Sequence, residues 1–385
     1  MIASIDPTRQ PLTLLGGLTA AQFMRRHWQK QPLLVRQALP DLKPPMTVTA
    51  LKKLSRQDDV ESRLIWRDGP SWAMKSGPLA RLPAKTKPDW TLLVQSVDLH
   101  NEQAADLLYR FNFVPSARLD DLMISIASTG GGVGPHFDSY DVFLIQAQGR
   151  RRWRFSQQKD LSLVADLPLK ILSNFEPEYD VVLEPGDMLY LPPNAAHDGV
   201  AVDDDCMTLS VGFKAPTGTM MAQRLLEAAA DDIALTAPAA LMRPFTDPNQ
   251  LAVSDPAALP EHLLKAAIAS VARINVTPAL AAESMGCWLT EPNQLARFEP
   301  SDQTLDPDRV GELRLDRRTR LIYWKQRLFI NGEPAGVPAT ALLKRLANDR
   351  KITLDTRTQR RLTPDIYETL EQWLEDGWVH WHPID

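Results

Sequence analysis

His136 and Asp138 stand two positions apart in the run Gly-Gly-Gly-Val-Gly-Pro-His-Phe-Asp-Ser-Tyr-Asp (130–141). On an extended strand, residues two apart point to the same side, so one metal ion can take both side chains. About sixty residues later Glu184-Pro-Gly-Asp-Met-Leu-Tyr-Leu-Pro-Pro-Asn-Ala-Ala-His197 predicts a tight turn and a short strand that delivers a third ligand. Two histidines and one carboxylate make the facial triad that holds non-haem iron(II) and leaves open positions for a cosubstrate and oxygen.

If the cosubstrate is 2-oxoglutarate, its far carboxylate needs a fixed cation. Gly149-Arg150-Arg151-Arg152-Trp153-Arg154 follows a strand at 142–148 across a tight turn. Alternation puts Arg151 and Trp153 on one face and the other three arginines on the opposite, solvated one. An arginine turned inward is costly to bury without an anion, and its guanidinium matches a carboxylate in bidentate fashion. Arg151 is therefore the expected carboxylate ligand. Ser125 shares the inward face of the strand near 121–127 and is the expected second contact, with Ser210 as a weaker candidate. Tyr140 is placed at the substrate mouth or on the cosubstrate. Asp141 reads as a strand cap rather than a fourth ligand.

These groups need a rigid frame. Short β-rich runs separated by Gly/Pro turns occur at 90–97, 121–127, 142–147, 151–155, 181–183, 188–191 and 207–213, a pattern of sandwiches and barrels. A helix over 18–30 and a strand over 32–35 precede them. After Pro216, helical spacing takes over at 218–235, 261–273 and 278–289, interrupted by a connection rich in proline (Pro238, Pro244, Pro248, Pro256, Pro260). The last ninety residues predict a strand over 320–330 leading to an Asn331-Gly332 turn, helices near 339–347 and 364–376, and a terminal strand at 378–382. Such a module is similar to a winged helix-turn-helix. His27 falls on a helix, His100 at a strand end and His262 at a helix start, while His380 and His382 lie on the last strand. All five read as ordinary structural histidines; the last pair has metal-compatible spacing but no partner acid or cysteine nearby in the sequence.

At 385 residues, two or three domains are expected, and 44% hydrophobic with 24% charged residues is ordinary for a globular chain. A net charge of −5 leaves no overall basic footprint for nucleic acid. Two cysteines, Cys206 and Cys287, with no Cys-x-x-Cys argue against an iron–sulfur cluster or zinc ribbon and fit a reducing compartment. No apolar run reaches the roughly 20 residues needed to cross a bilayer. The start lacks a basic region and a cleavage site, so no signal peptide is read and the cytoplasm is the expected location.

The segment from Gly186 through Pro192 and Asn194 to His197 fits a cupin pattern, with asparagine where glycine is common. Together with His-Trp-Gln-Lys-Gln-Pro (27–32), Trp-Thr-Leu-Leu-Val-Gln (90–95), Asp-Asp-Leu-Met-Ile-Ser (120–125), Gly-Arg-Arg-Arg-Trp (149–153), Leu-Glu-Pro-Gly-Asp (183–187) and Ser-Val-Gly-Phe (210–213), it resembles the jumonji-C-type cupin oxygenases of the ribosomal oxygenase group. The likeness is greatest to bacterial arginine hydroxylases of that group and covers about 20–215. It implies an α+β chain: a double-stranded β-helix jelly-roll barrel (1–215), a helical dimerisation region (216–295) and a winged-helix-like module (296–385). It also implies Fe(II) on His136, Asp138 and His197, 2-oxoglutarate on Arg151 and Ser125, O2 as oxidant, and a homodimer. The implied substrate is an arginine of a large-subunit ribosomal protein, a basic polypeptide, hydroxylated at its β-carbon. Eukaryotic relatives use lysine in place of Arg151 and hydroxylate histidine, so the arginine favours the bacterial type. A histidine or another residue as target, and a non-catalytic cupin joined to a regulatory winged helix, are the alternatives. Against the latter, basic residues in 339–382 (Lys344, Arg345, Arg350, Lys351) are offset by Glu368, Glu371, Glu375 and Asp376, so no direct DNA binding is expected. Asp120 or Asp121 could supply an acid for an arginine substrate.

Overall fold

The structure is a computed structural model that describes residues 7–69, 71–84, 86–236 and 241–384. The leader reading at 1–6 and Pro238 of the proline-rich connection lie outside the described residues. The chain divides into two compact units. One comprises the residues up to Ala215 with Asn293–Arg297, the other Pro216–Pro292 with the residues from Phe298 on.

The first unit opens with α1 (Ala20–Arg26), whose start is fixed by Thr19 and Gln22 bonding each other's backbone N–H in a capping box. There follow β1 (Leu33–Val35), α2 (Val48–Leu54), the hairpin β2 (Ser62–Asp68) and β3 (Ser71–Ser76), β4 (Trp90–Val94), α3 (Glu102–Tyr109) and β5 (Leu119–Ala127). Then come β6 (Val142–Gln148), β7 (Arg151–Ser156), β8 (Tyr179–Leu183), β9 (Met188–Leu191), β10 (Ala196–Ala201) and β11 (Cys206–Phe213). Two antiparallel sheets result. The larger runs β1-β9-β6-β11-β5-β4-β2-β3 and the smaller β10-β7-β8. Every residue of β11 is buried because it lies between β5 and β6 with both faces covered. The outward face of β5, carrying Leu122, Ile124 and Ile126, packs into the main core beside Phe23, Phe111, Phe143 and Tyr190. Its inward face carries Asp121, Met123 and Ser125, opposite Ser210 (across from Met123) and Thr208 (across from Ser125) on β11. The barrel interior is therefore polar on this wall.

The second unit contains α4 (Gly218–Thr236), α5 (Glu261–Val271) and α6 (Pro278–Thr290). Beyond them lie β12 (Gly311–Leu315), β13 (Leu321–Trp324), β14 (Arg327–Ile330), β15 (Glu333–Pro334), α7 (Ala341–Asp349), β16 (Lys351–Leu354), α8 (Thr356–Gln359), α9 (Pro364–Glu375) and β17 (Val379–Pro383). One sheet runs β16-β12-β17 and the other β13-β14-β15, around a core that includes Leu313, Leu343, Leu370 and Trp373. α6 packs close enough to the second sheet that a Cβ on Gly286 would lie 2.4 Å from Phe329. No residue of α5 is buried, and Leu263, Leu264, Ile268 and Val271 are exposed along it.

Two sequence readings are corrected. The strand expected over 320–330 is a hairpin: β13 and β14 pair antiparallel, and Lys325 turns the chain at φ 55°. His100 does not end a strand but closes the short 3-10 turn Val97–Leu99 that follows β4. Among the described residues, no helix is long and apolar enough to cross a membrane.

Candidate metal and cosubstrate site

His136 and Asp138 lie on the segment between β5 and β6, and His197 on β10. His136 and His197 face one another through a two-way backbone bridge: each N–H donates to the other's carbonyl, at 2.9 and 2.8 Å. Their rings are 4.2 Å apart between centroids, and His197 Nε2 lies 3.7 Å from Asp138 Oδ2. One ligand atom from each of the three residues falls within 4.8 Å of the other two. His136 Nδ1 sits 2.9 Å from the Gly134 carbonyl and His197 Nδ1 2.8 Å from that of Ala195. Carbonyl partners make Nδ1 the protonated nitrogen on both rings, which leaves Nε2 with its lone pair for a metal. Burial first, and then the neighbouring His136, holds the His197 imidazole well below the ordinary histidine range, so it stays neutral as a ligand must.

The glycine run makes this approach possible. A Cβ on Gly131 would lie 2.2 Å from the Trp90 carbonyl oxygen. At Gly134 (φ 78°) it would lie 2.7 Å from Ile171 and 2.9 Å from Trp72. Trp72 itself is stacked under Arg67, whose guanidinium lies 4.7 Å from the ring centre. The β2–β3 hairpin thus braces the loop that carries His136, a role that nothing in its own sequence announces.

Arg151 is 4% exposed, on the inward face of β7. Its Nε and Nη2 are buried with no hydrogen-bond partner among the described residues. Leaving two donors of a buried guanidinium unpaired is expensive, and an anion in the barrel would satisfy both. The three neighbouring arginines point outward and are paired: Arg150 with Asp203, Arg152 with Asp180, and Arg154 with Asp198. Ser125 is 3% exposed, and its hydroxyl reaches the Thr208 carbonyl only at 3.4 Å, so it is weakly committed. Gln146 escaped the sequence reading although it is a polar residue in an apolar strand. Its amide donates to the Gln148 and Gly149 carbonyls and accepts from Thr208 Oγ1, which fixes the turn leading into Arg151.

The remaining candidates separate clearly. Asp141 is not among the clustered ligands. It is fully buried and accepts from Tyr190 (2.6 Å) and Gln29 Nε2 (3.1 Å), so it ties the start of β6 to β9 and the segment after α1. Ser210 lies across from Met123 on the inward face. Tyr140 lies beside both Asp138 and Asp121; burial and then these two acids push its phenol up. Asp121 is buried, and its Oδ2 accepts from Ser96 N–H, the Ser96 hydroxyl and Gln95. Burial, with Asp120 next in effect, raises its carboxyl above the usual range. A Cβ on Gly212 would sit 3.4 Å from Asp121 Oδ1 and 3.9 Å from the Tyr140 ring, so acid and phenol share one corner.

Comparison with known proteins agrees with this geometry. Residues 106–221 match the JmjC domain model, and 267–380 match the ROXA-like winged helix model. The ribosomal protein uL16 3-hydroxylase of Escherichia coli is 40% identical over 195 residues, 50% of this chain and 52% of that protein, so the alignment spans about half of its length. A probable ribosomal oxygenase of Haemophilus influenzae is 28% identical over 94% of this chain and 96% of its own. Among solved structures, the Escherichia coli ribosomal oxygenase YcfD in complex with cobalt and 2-oxoglutarate superposes with a TM-score of 0.79 at 28% identity, covering 94% of this chain and 98% of that one. The barrel and winged helix expected from the sequence are the observed fold.

Proposed function

We propose that this chain, which belongs to the JmjC-type ribosomal oxygenases, is an Fe(II)- and 2-oxoglutarate-dependent hydroxylase of a ribosomal protein. The buried, half-unpaired Arg151 guanidinium in the same barrel as the two-histidine, one-carboxylate cluster carries the reading. His136, Asp138 and His197 would hold the iron, and Arg151 with Ser125 the far carboxylate of 2-oxoglutarate. Bound together, metal and cosubstrate supply the oxidising power that puts one atom of O2 into a C–H bond, with succinate and CO2 as coproducts.

The protein's own task is to aim one side chain at that centre. Asp121 Oδ1 takes no hydrogen bond among the described residues, while Oδ2 is held by three donors. A carboxylate so oriented beside Tyr140 suits a guanidinium, which would also draw the raised Asp121 carboxyl back to its charged form. This supports an arginine hydroxylated at its β-carbon, as does the similarity to a protein named uL16 3-hydroxylase. We place the enzyme in the cytoplasm with its basic substrate, and as a homodimer, the latter because α5 leaves Leu263, Leu264, Ile268 and Val271 exposed among the described residues.

Asp121→Asn tests the arginine assignment. KM for a ribosomal-protein peptide should rise roughly 10–100-fold, the worth of one or two charge-assisted hydrogen bonds, while 2-oxoglutarate affinity stays the same. Equal loss for peptides with arginine replaced would sink it. Mass spectrometry of ribosomal proteins from cells with and without the gene should reveal one peptide that lacks a single oxygen atom in the deletion strain. Identical ribosomal proteins in both strains would refute the substrate class.

A further inference from the structure

We propose that the C-terminal unit carries an RNA-docking strip formed by the β13–β14 hairpin, α7 and the β16–β12 edge. The first ground is charge segregation. Residues 309–361 hold 14 Lys and Arg against 5 Asp and Glu, a net of +9, so the rest of this −5 chain carries −14. From 362 to 384 there are five acids and no Lys or Arg, and most of these acids lie on α9. The small unit is therefore strongly polarised, which the whole-chain charge conceals. Such asymmetry within a chain is the footprint of a polyanion partner.

The second ground is where the cations sit. Lys325, at the hairpin tip, lies 4.4 Å from the Trp324 ring centre, and Lys344 on α7 lies 5.3 Å from that of Tyr323. Tyr323 is 39% exposed, with its hydroxyl 3.4 Å from Asn348. Tyr323, on the face of β13 turned toward α7, thus has the Lys344 ammonium beside it, while Trp324, the next residue, carries Lys325 on the opposite face of the hairpin. At the end of α7, Arg350 donates to the Asp316 and Thr319 carbonyls, which brings the turn bearing Arg317 and Arg318 against the helix. Lys351 then lies directly across from Arg314 in the ladder. Several cations of the strip are paired with acids, Arg314 and Lys351 with Glu312, Arg318 with Asp316 (which His380 also holds) and Arg327 with Glu283 of α6, and Glu333 and Asp349 lie on the strip as well. The strip keeps a positive excess over its length.

Cations alone would suit any polyanion; an exposed tyrosine among them selects one with stackable bases. Phosphates lie along Lys and Arg while bases stack on tyrosine or tryptophan, the arrangement by which single-stranded nucleic acid is held without sequence preference. The strip cannot serve the substrate polypeptide itself, which is basic and would be repelled. The choice of RNA over other polyanions rests on the proposed function, since RNA is what a ribosomal protein is found with.

The test uses the full chain and fluorescence anisotropy with a labelled single-stranded oligouridine, with duplex DNA and polyglutamate as competitors. Binding is expected at low salt and should weaken with a log–log slope of about −0.7 for each phosphate contacted. The Lys325→Glu, Lys344→Glu, Arg345→Glu triple variant should lose at least roughly tenfold in affinity and show a flatter slope. Tyr323→Ala, which removes no charge, should lose roughly five- to tenfold through stacking. Hydroxylation of a short peptide should be unchanged in both variants, so failure here leaves the enzymatic reading intact and the reverse is equally visible. No binding at low salt, indifference to the triple reversal, or equal competition by polyglutamate or duplex DNA would overturn the proposal.

Discussion

His136→Ala and Asp138→Ala are each expected to abolish 2-oxoglutarate-dependent succinate formation and to lower metal affinity in parallel. Groups that only orient a metal ligand are worth roughly 10–100-fold, so removing a ligand should cost at least about 1000-fold. Anaerobic titration with Co(II), followed through its visible absorption, separates loss of metal from loss of fold. The wild-type protein should saturate at one ion per chain and the variants should not. Near-wild-type turnover in either variant would refute the proposed centre. Both changes shorten side chains at the barrel mouth and remove nothing from the main core around Phe143 and Tyr190, so the thermal midpoint of the metal-free protein should move little.

Arg151→Met should raise KM for 2-oxoglutarate by two to three orders of magnitude. Each charge-assisted hydrogen bond contributes about 1.5–3 kcal/mol, and two donors are waiting on this side chain. The metal-free variant should be no less stable than wild type, and could be more so, because methionine removes a buried charge whose Nε and Nη2 lack partners. A loss of cosubstrate affinity with retained or increased stability distinguishes a carboxylate-binding arginine from a structural one. Arg151→Lys should recover part of the affinity, since the charge returns without the two-pronged geometry. Unchanged binding of 2-oxoglutarate in Arg151→Met would remove the anchor from the proposed function.

The proximity of His136 to Asp138 and the inward turn of Arg151 were legible because that information is local. His136 and Asp138 share one short motif, and strict alternation along 151–154 separates the inward arginine from the paired ones. What stayed hidden depended on neighbours. β10 reads Ala-His-Asp-Gly-Val-Ala, poor in β-branched residues, and is a strand because β7 pairs with it along its length. The β2–β3 hairpin mixes apolar with charged residues and gives no local sign of its partner, yet it braces Gly134 through Trp72. The β13–β14 turn uses Lys325 at positive φ, with no glycine, asparagine or proline to signal it. Asp121 could not be preferred to Asp120 from sequence beyond its alternation with Ser125. Its bonds to Ser96 and Gln95, and its closeness to Tyr140, are tertiary facts.

The central position of β11 has a consequence for how the protein is made. β5 and β6 are translated long before the strand that bridges them, so until Phe213 has left the exit tunnel each of them shows an unpaired edge of buried-type residues. Open edges of this kind recruit other chains, and pairings across such sequence distances form slowly. Fragments that stop short of Cys206 should therefore aggregate rather than yield a smaller barrel, and synthesis of this chain should lean on chaperones that shield nascent strands.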